Sequence, residues 1–321
     1  MIKNLLPNFY YLIIFFFISL FLTPISIYIG RKFNIISKPH EERGDKKKIK
    51  EIEMPRSGGI TIYFSFLILL LYIYFRFNSK EFLSIFLGGT VIFIVGLIDD
   101  KFKLKPWMKF LGEILGALIP IIYGVKVNFI TNPKGGYFYL KELSIPFTLF
   151  WVTGITNAIN IVDGLDGLAS GIVSIVSTTL GLVALLKGYF LISLICFAIA
   201  GIALGFLVFN FYPAKIYLGD SGALLFGFIL GEIAVWGALK TTTSVILLVA
   251  ILALGFPILD TFSAILRRIL KRKSIFEADM DHIHYKLLYS GFKEKEVVII
   301  LYILTLFFSL LSFLLIKGFS L

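Results

Sequence analysis

Asp and Asn residues gather in five short stretches of this chain, and their neighbours indicate what they could do. Asp99 and Asp100 stand side by side. Asn157, Asn160, Asp163 and Asp166 recur every third residue in Asn157-Ala-Ile-Asn-Ile-Val-Asp-Gly-Leu-Asp-Gly-Leu168. Asn210 and Asp220 bracket a segment that ends Gly219-Asp220-Ser221-Gly222. Asp260 precedes Arg267-Arg268, and Asp281 precedes His282-Ile283-His284. Carboxylates brought together repel one another unless a cation neutralises them. Oxygen ligands without cysteine suit a hard cation such as Mg²⁺, with Mn²⁺ able to take its place, and fit zinc poorly. Mg²⁺ is commonly held by one or two protein groups plus substrate phosphates. The nearby lysines and Arg267-Arg268 are phosphate-compatible, and Gly164, Gly167, Gly219 and Gly222 let backbone approach a ligand closely. These residue types read as a Mg²⁺-assisted phosphoryl-transfer site.

The elements that carry them must lie in a membrane. Of 321 residues, 58% are hydrophobic and 16% charged, with 34 phenylalanines. A soluble domain runs at roughly 45–50% apolar and about 25% charged. The mean hydropathy is +0.91. This composition excludes a disordered chain, a collagen, a disulfide scaffold and a soluble nucleic-acid binder. A spanning helix needs ~20 mostly apolar residues. About ten such runs occur, near 9–29, 59–75, 82–98, 107–125, 145–162, 168–186, 189–209, 221–239, 243–266 and 297–316. The expected fold is therefore an all-α integral membrane protein of about ten transmembrane helices, with 1–321 as a single domain. The first run is too long for a signal peptide and lacks a cleavage site, so it reads as a retained span. Cys196 is the single cysteine and lies within an apolar run, so it says nothing of redox compartment.

Three connections are long. Residues 30–58 carry mixed charge and read as a solvated loop, with Arg56 beside Gly58-Gly59 able to reach a nucleotide. Asn132-Pro133-Lys134-Gly135-Gly136 sits between two alternating segments, the pattern of a β-hairpin. Residues 267–296 are basic and should hold a short helix. Counting Lys and Arg on alternate sides puts 22 of the 31 on one side. Basic loops stay cytoplasmic. That rule orients the chain with both termini and the hairpin outside the cytoplasm and with every polar cluster at cytoplasmic helix ends. Ionisable residues at membrane depth are functional candidates.

Taken together, these motifs resemble the polyprenyl-phosphate N-acetylhexosamine-1-phosphate transferases of the glycosyltransferase 4 type. The resemblance rests on Asp99-Asp100, the run from Asn157, Asn210…Pro213-Ala214…Gly219-Asp220-Ser221-Gly222, Pro257-Ile258-Leu259-Asp260-Thr261 with Arg267-Arg268, and His282-Ile283-His284. It begins at Pro55-Arg56-Ser57-Gly58-Gly59 and covers nearly the whole chain. Its histidine loop is similar to that of the WecA/TagO-like branch, although Tyr285 stands where that branch has a second adjacent histidine. The basic loop before Pro55 also lacks the usual Arg-Lys-x-His spacing.

The resemblance implies transfer of N-acetylglucosamine 1-phosphate from a UDP-N-acetylhexosamine to undecaprenyl phosphate at the plasma (inner) membrane, with Mg²⁺ and release of UMP. The lipid product would begin a cell-surface polysaccharide. It also implies roles. Asp220 matches the principal metal ligand and Asn160 a second. Asp99, Asp100 and Asp163 match the acids required for turnover or nucleotide binding, and Lys109 matches a phosphate-contacting lysine. Asn157, Gly164, Leu165, Asp166 and Asn210 fall at nucleotide-binding positions, while Arg268, His282 and His284 would line the donor-sugar side. A homodimer would be in keeping with the resemblance.

Plainer readings stand beside these. Asp99-Asp100 alone could cap a helix, His40 reads as an ordinary loop histidine, and Glu113 and Glu232 read as hydrogen-bonded packing groups. Two other functions compete: the phospho-N-acetylmuramoyl-pentapeptide transferase of peptidoglycan synthesis, and an ion-coupled transporter. Transporters place charges near the bilayer midplane within repeated halves. Here the acids sit at one face and no repeat is evident.

Overall fold

The computed structural model describes residues 2–37, 53–131, 136–240, 245–272 and 281–318. All ten apolar runs are helical. In chain order the helices are α1 (Ile2–Lys32), α2 (Gly58–Phe77), α3 (Lys80–Phe102), α4 (Pro106–Ile122), α5 (Ser144–Val162), α6 (Leu168–Leu186), α7 (Phe190–Asn210), α8 (Gly219–Lys240), α9 (Val245–Ala253), α10 (Gly255–Leu270), α11 (Ile283–Tyr289) and α12 (Glu294–Gly318). Local chemistry sets several ends. Asn78, with a positive φ of 47°, stops α2, and the Ser79 side chain accepts the Phe82 N–H to start α3. Pro106 opens α4, where its missing N–H costs nothing. The short helix expected within 267–296 is α11.

Two small sheets join the helices. β1 (Ile36–Ser37) pairs antiparallel with β2 (Met54–Pro55), an element the sequence did not announce. β3 (Phe129–Thr131) pairs antiparallel with β4 (Tyr137–Tyr139), with Phe129 opposite Tyr139, so the two alternating segments do form a hairpin. Residues 132–135, His40 and the middles of the 30–58 and 267–296 connections lie outside the described residues.

Among the described residues eight helices are long and apolar enough to cross a membrane, or nine if α9 and α10 count together. The chain is a multi-pass membrane protein. Two of the ten expected spans differ from the rest. The run near 243–266 breaks at Leu254 into α9 and α10, which meet at 66°. The run near 107–125 gives an α4 of only 17 residues. At ~1.5 Å per residue that is about 25 Å, short of a ~30 Å hydrocarbon core.

Contacts at the helix ends show how the elements alternate. The ends of α1, α3, α5 and α7 and the starts of α2, α4, α6, α8 and α12 all meet at one end of the bundle. Ser57, before α2, donates to Ser26 O of α1 at 2.8 Å. Lys109 of α4 reaches Asp99 of α3. The Asp166 N–H, between α5 and α6, donates to Glu294 at the start of α12 at 3.2 Å. At the opposite end Asn8 of α1 donates to Phe190 O of α7, and Phe82 of α3 packs on Trp236 of α8. α4 therefore leaves the first end and delivers the chain to the second, where the Val127 N–H donates to Thr148 of α5. α8 is the central helix, 94% buried over its apolar window, whereas that of α1 is 22% buried.

Candidate active site

The polar residues singled out in the sequence converge at the first end of the bundle, in three connected groups. The first is a carboxylate cluster where α3 crosses α8. A side chain at Gly96 would collide with the Ser221 backbone, so glycine there lets the two helices touch. That contact brings the end of α3 onto the start of α8. Asp100 Oδ1 accepts the Asp220 N–H at 2.7 Å, and Oδ2 accepts the Ser221 N–H at 3.0 Å and the Ser221 hydroxyl at 2.5 Å. Its side chain is wholly buried. Asp100 thus satisfies orphan amides of the first turn of α8, whose positive end also favours a carboxylate.

Asp99 points elsewhere. Its Oδ1 accepts the Leu104 N–H at 2.7 Å and its Oδ2 lies 3.3 Å from Lys109 Nζ. Lys109 Nζ also lies 3.1 Å from Asp220 Oδ1. Asn160, in the last turn of α5, joins them. With its amide turned to satisfy both partners, it donates to Asp220 Oδ1 at 2.8 Å and accepts from Lys109 at 3.1 Å. Arg56 approaches from the other side, Nε 3.4 Å from Asp100 Oδ1 and one terminal nitrogen 3.8 Å from Asp220 Oδ2.

The second group is an open cleft beside this cluster. Arg56, Asp163, Gly164, Leu165, Asp166, Asn210, Tyr217, Leu218, Gly219 and Tyr285 line it. The 163–167 loop forms one wall, and Asp166 Oδ2 fixes it to the next loop by accepting the Ala214 N–H at 3.0 Å. Asn210 is committed to structure, accepting from Ser170 at 2.9 Å and donating to Ile216 O at 3.0 Å. Gly219 has φ +74°, and a side chain there would strike Arg56 O and both Asp100 carboxylate oxygens at 2.6–2.8 Å.

The third group is the histidine loop. His282 Nδ1 faces Asp260 Oδ2 at 2.9 Å, and the Ile283 N–H donates to Asp260 Oδ1 at 3.0 Å. Buried Asp260 therefore holds both the ring of His282 and the start of α11. His284 packs against Gly164, whose missing side chain leaves room for the ring, and its ring stacks parallel to that of His282 with centroids 5.6 Å apart. Arg268 lies half-buried near the end of α10, the helix that carries Asp260.

The structure brings together most of the residues proposed from sequence, and it divides their surroundings. Asp99, Asp100, Lys109, Asn160 and Asp220 form the cluster, while Asp163, Gly164, Leu165, Asp166 and Asn210 form the cleft. Asn157 stands one turn back from Asn160, donating to Glu113 and to Thr153 O. Glu113 is therefore a hydrogen-bonded group, as expected. Glu232 is not. Both its oxygens are buried and neither has a hydrogen-bond partner among the described residues.

Some site residues were underrated in the sequence. Arg56 was read as lying in a solvated loop with reach to a nucleotide from beside Gly58-Gly59, and its contacts with Asp100 and Asp220 were not foreseen. Tyr285 drew notice only as a departure from a motif, yet it lines the cleft. Ser221 drew none.

Among the described residues no group of three or more His, Cys, Asp or Glu could hold a metal ion. The oxygens of Asp99, Asp220 and Asn160 gathered round Lys109 instead form a partial, oxygen-only donor set. Such a set suits Mg²⁺, which keeps several waters and takes the remaining ligands from substrate phosphates.

Residues 82–238 match glycosyl transferase family 4. The chain is similar to a probable undecaprenyl-phosphate N-acetylglucosaminyl 1-phosphate transferase of Bacillus subtilis, with 35% identity over 91% of this chain and 80% of that protein. It is also similar to a phospho-N-acetylmuramoyl-pentapeptide-transferase of Prochlorococcus marinus, with 35% identity over 89% of this chain and 84% of the relative. A decaprenyl-phosphate N-acetylglucosaminephosphotransferase of Mycobacterium leprae is 30% identical over 89% of this chain and 78% of its own.

Proposed function

The chain belongs to glycosyl transferase family 4, and we propose that it moves N-acetylglucosamine 1-phosphate from UDP-N-acetylglucosamine to undecaprenyl phosphate with release of UMP. The product is then the first lipid-linked intermediate of a cell-surface polysaccharide. One observation supports this above the others. Asp220 is gripped by Lys109 and Asn160 on one oxygen and approached by Arg56 on the other, beside a cleft walled by residues 163–166. That arrangement sets charge for a diphosphate next to room for a nucleoside.

Asp220 and Asn160 are the residues to hold Mg²⁺, or Mn²⁺ in its place. When bound, the ion supplies charge neutralisation at the donor diphosphate. Lys109 orients a phosphate oxygen by charge and hydrogen bonding. A phosphate oxygen of the lipid attacks the β-phosphorus in line, and the bond from that phosphorus to the UMP oxygen breaks. Asp99 takes any proton the lipid phosphate carries, whereas Asp100 spends its oxygens on the start of α8. Asp163 and Asp166 hold the nucleoside side of the cleft, and His282, His284 and Arg268 the sugar side. The Lys and Arg asymmetry supports a site that faces the cytoplasm, with both termini and the β3–β4 hairpin on the other side of the plasma membrane.

Relatives named for the muramoyl-pentapeptide donor favour a second reading, in which the substrate is UDP-N-acetylmuramoyl-pentapeptide. Radiolabel transfer to undecaprenyl phosphate in detergent separates the two. Metal-dependent lipid product from UDP-N-acetylglucosamine, abolished by EDTA and by Asp220→Ala, is the expected result. Product from the pentapeptide donor alone would replace the first reading with the second. Labelled UMP entering UDP-sugar without lipid acceptor would overturn the single displacement.

A further inference from the structure

Arg56 belongs to both halves of the site. Its guanidinium approaches Asp100 and Asp220, and the same side chain lines the nucleotide cleft with about a quarter of its surface exposed. Its backbone is held in place from two directions. The Arg56 N–H donates to Ile35 O at 3.0 Å, Pro55 O accepts the Tyr217 N–H at 2.9 Å, and the N–H groups of Gly58 and Gly59 donate to Tyr217 O and Leu218 O. Gly219 presents no side chain to Arg56 O, so the chain closes tightly there. A loop built only to be solvated has no need of such anchoring.

We infer that Arg56 binds the diphosphate of the nucleotide-sugar donor, at the phosphate that departs with the nucleoside. The inference rests on the reading of the chain as a nucleotide-sugar phosphotransferase. Asp100 already receives three donors from Asp220 and Ser221, so its charge is compensated without the arginine. The contacts of Arg56 with these two acids are long by comparison, 3.4 Å to Asp100 and 3.8 Å to Asp220. A guanidinium carries five N–H donors in a planar fork that matches phosphate geometry. Phosphate oxygens entering the cleft can draw that fork toward them at little cost to Asp100. Lys109 lies across Asp220 from Arg56, on the other carboxylate oxygen, so the two cations flank the acid from opposite sides.

The test compares UMP with uridine, which lacks the phosphate, as ligands of the detergent-solubilised full chain in EDTA. Calorimetry on the wild type, Arg56→Lys, Arg56→Gln and Arg56→Ala reads both affinities, and uridine is also titrated as a competitor of UMP. Removing a charge-assisted contact should weaken UMP by roughly tenfold to a hundredfold. Uridine affinity should hold, and Arg56→Lys should recover part of the loss. In turnover, the KM for the UDP-sugar should rise while the KM for lipid phosphate stays. Equal weakening of UMP and uridine would make Arg56 a purely structural residue and overturn the inference, as would unchanged UMP affinity. A wild type that binds no UMP would overturn the function reading along with it. Should Arg56→Ala fail to fold, the Lys and Gln variants carry the same comparison.

Discussion

Asp100 accepts the backbone N–H groups of Asp220 and Ser221, so one acid of an adjacent pair caps the helix on which the next acid stands. Its neighbour Asp99 faces Lys109 instead. Adjacent carboxylates thus have separate tasks, and substitutions should separate them. Asp100→Ala removes a buried helix cap, which costs about 1–2 kcal/mol, and it exposes α8 amides to no acceptor. We expect a lowered melting temperature together with lost turnover. Asp99→Asn should abolish turnover with a melting temperature near that of the wild type. A melt and a radiolabel assay on each variant check the split, and equal melting losses would refute it.

Asn160 shares an oxygen of Asp220 with Lys109. If it also supplies a metal ligand, Asn160→Ala should raise the Mg²⁺ concentration needed for half-maximal rate by tenfold or more, as loss of about 1.4 kcal/mol would. Affinity for uridine should not change. A Mg²⁺ titration at fixed substrate, alongside a uridine-binding curve, decides this.

Asp260 holds the His282 ring and the Ile283 N–H from a helix 22 residues earlier. Asp260→Ala leaves the histidine without its partner and α11 without its anchor, each a contact worth about 1.5–3 kcal/mol when a charged group takes part. The expected result is a tenfold to hundredfold lower kcat/KM for the donor. The KM for lipid phosphate should stay within twofold. A donor KM unchanged from wild type would remove the histidine loop from sugar recognition.

Glu232 lies in the middle of α8 with both oxygens buried and no hydrogen-bond partner among the described residues. An unpartnered polar group in apolar surroundings costs roughly 1–3 kcal/mol. Glu232→Met, similar in volume, should raise the melting temperature and leave turnover intact. A fall in either would mean that Glu232 has a partner or a task at that depth.

Much of the architecture was legible beforehand. Each of the ten apolar runs became helix, and the hairpin formed where alternating segments flank Asn132-Pro133-Lys134-Gly135. The break at Leu254 was not read, although Gly255 and Pro257 just beyond it are residues at which helices bend; the 66° angle itself depends on what α9 and α10 pack against. Nor was the pairing of β1 with β2, two-residue strands too short to carry a pattern. At the site, residue types spoke clearly and partners did not. Arg56 was marked as within reach of a nucleotide, but its carboxylate partners were not legible, because the backbone bonds of its neighbours to Tyr217 and Leu218 are what bring it inside.

Hydropathy is a sum over neighbours in the chain, so helix positions and membrane residence were properties of the sequence alone. So was the kind of chemistry, since oxygen donors, lysines and glycines recur at helix ends whatever their arrangement. The division of labour was decided in three dimensions. Asp100 and Ser221 are 121 residues apart, and Asp166 and Glu294 are 128 apart. No local pattern records which carboxylate caps a distant helix, which meets a lysine, and which, like Glu232, has no hydrogen-bond partner among the described residues. Those outcomes follow from how close the helices come, and at Gly96 that distance is set by the absence of a side chain.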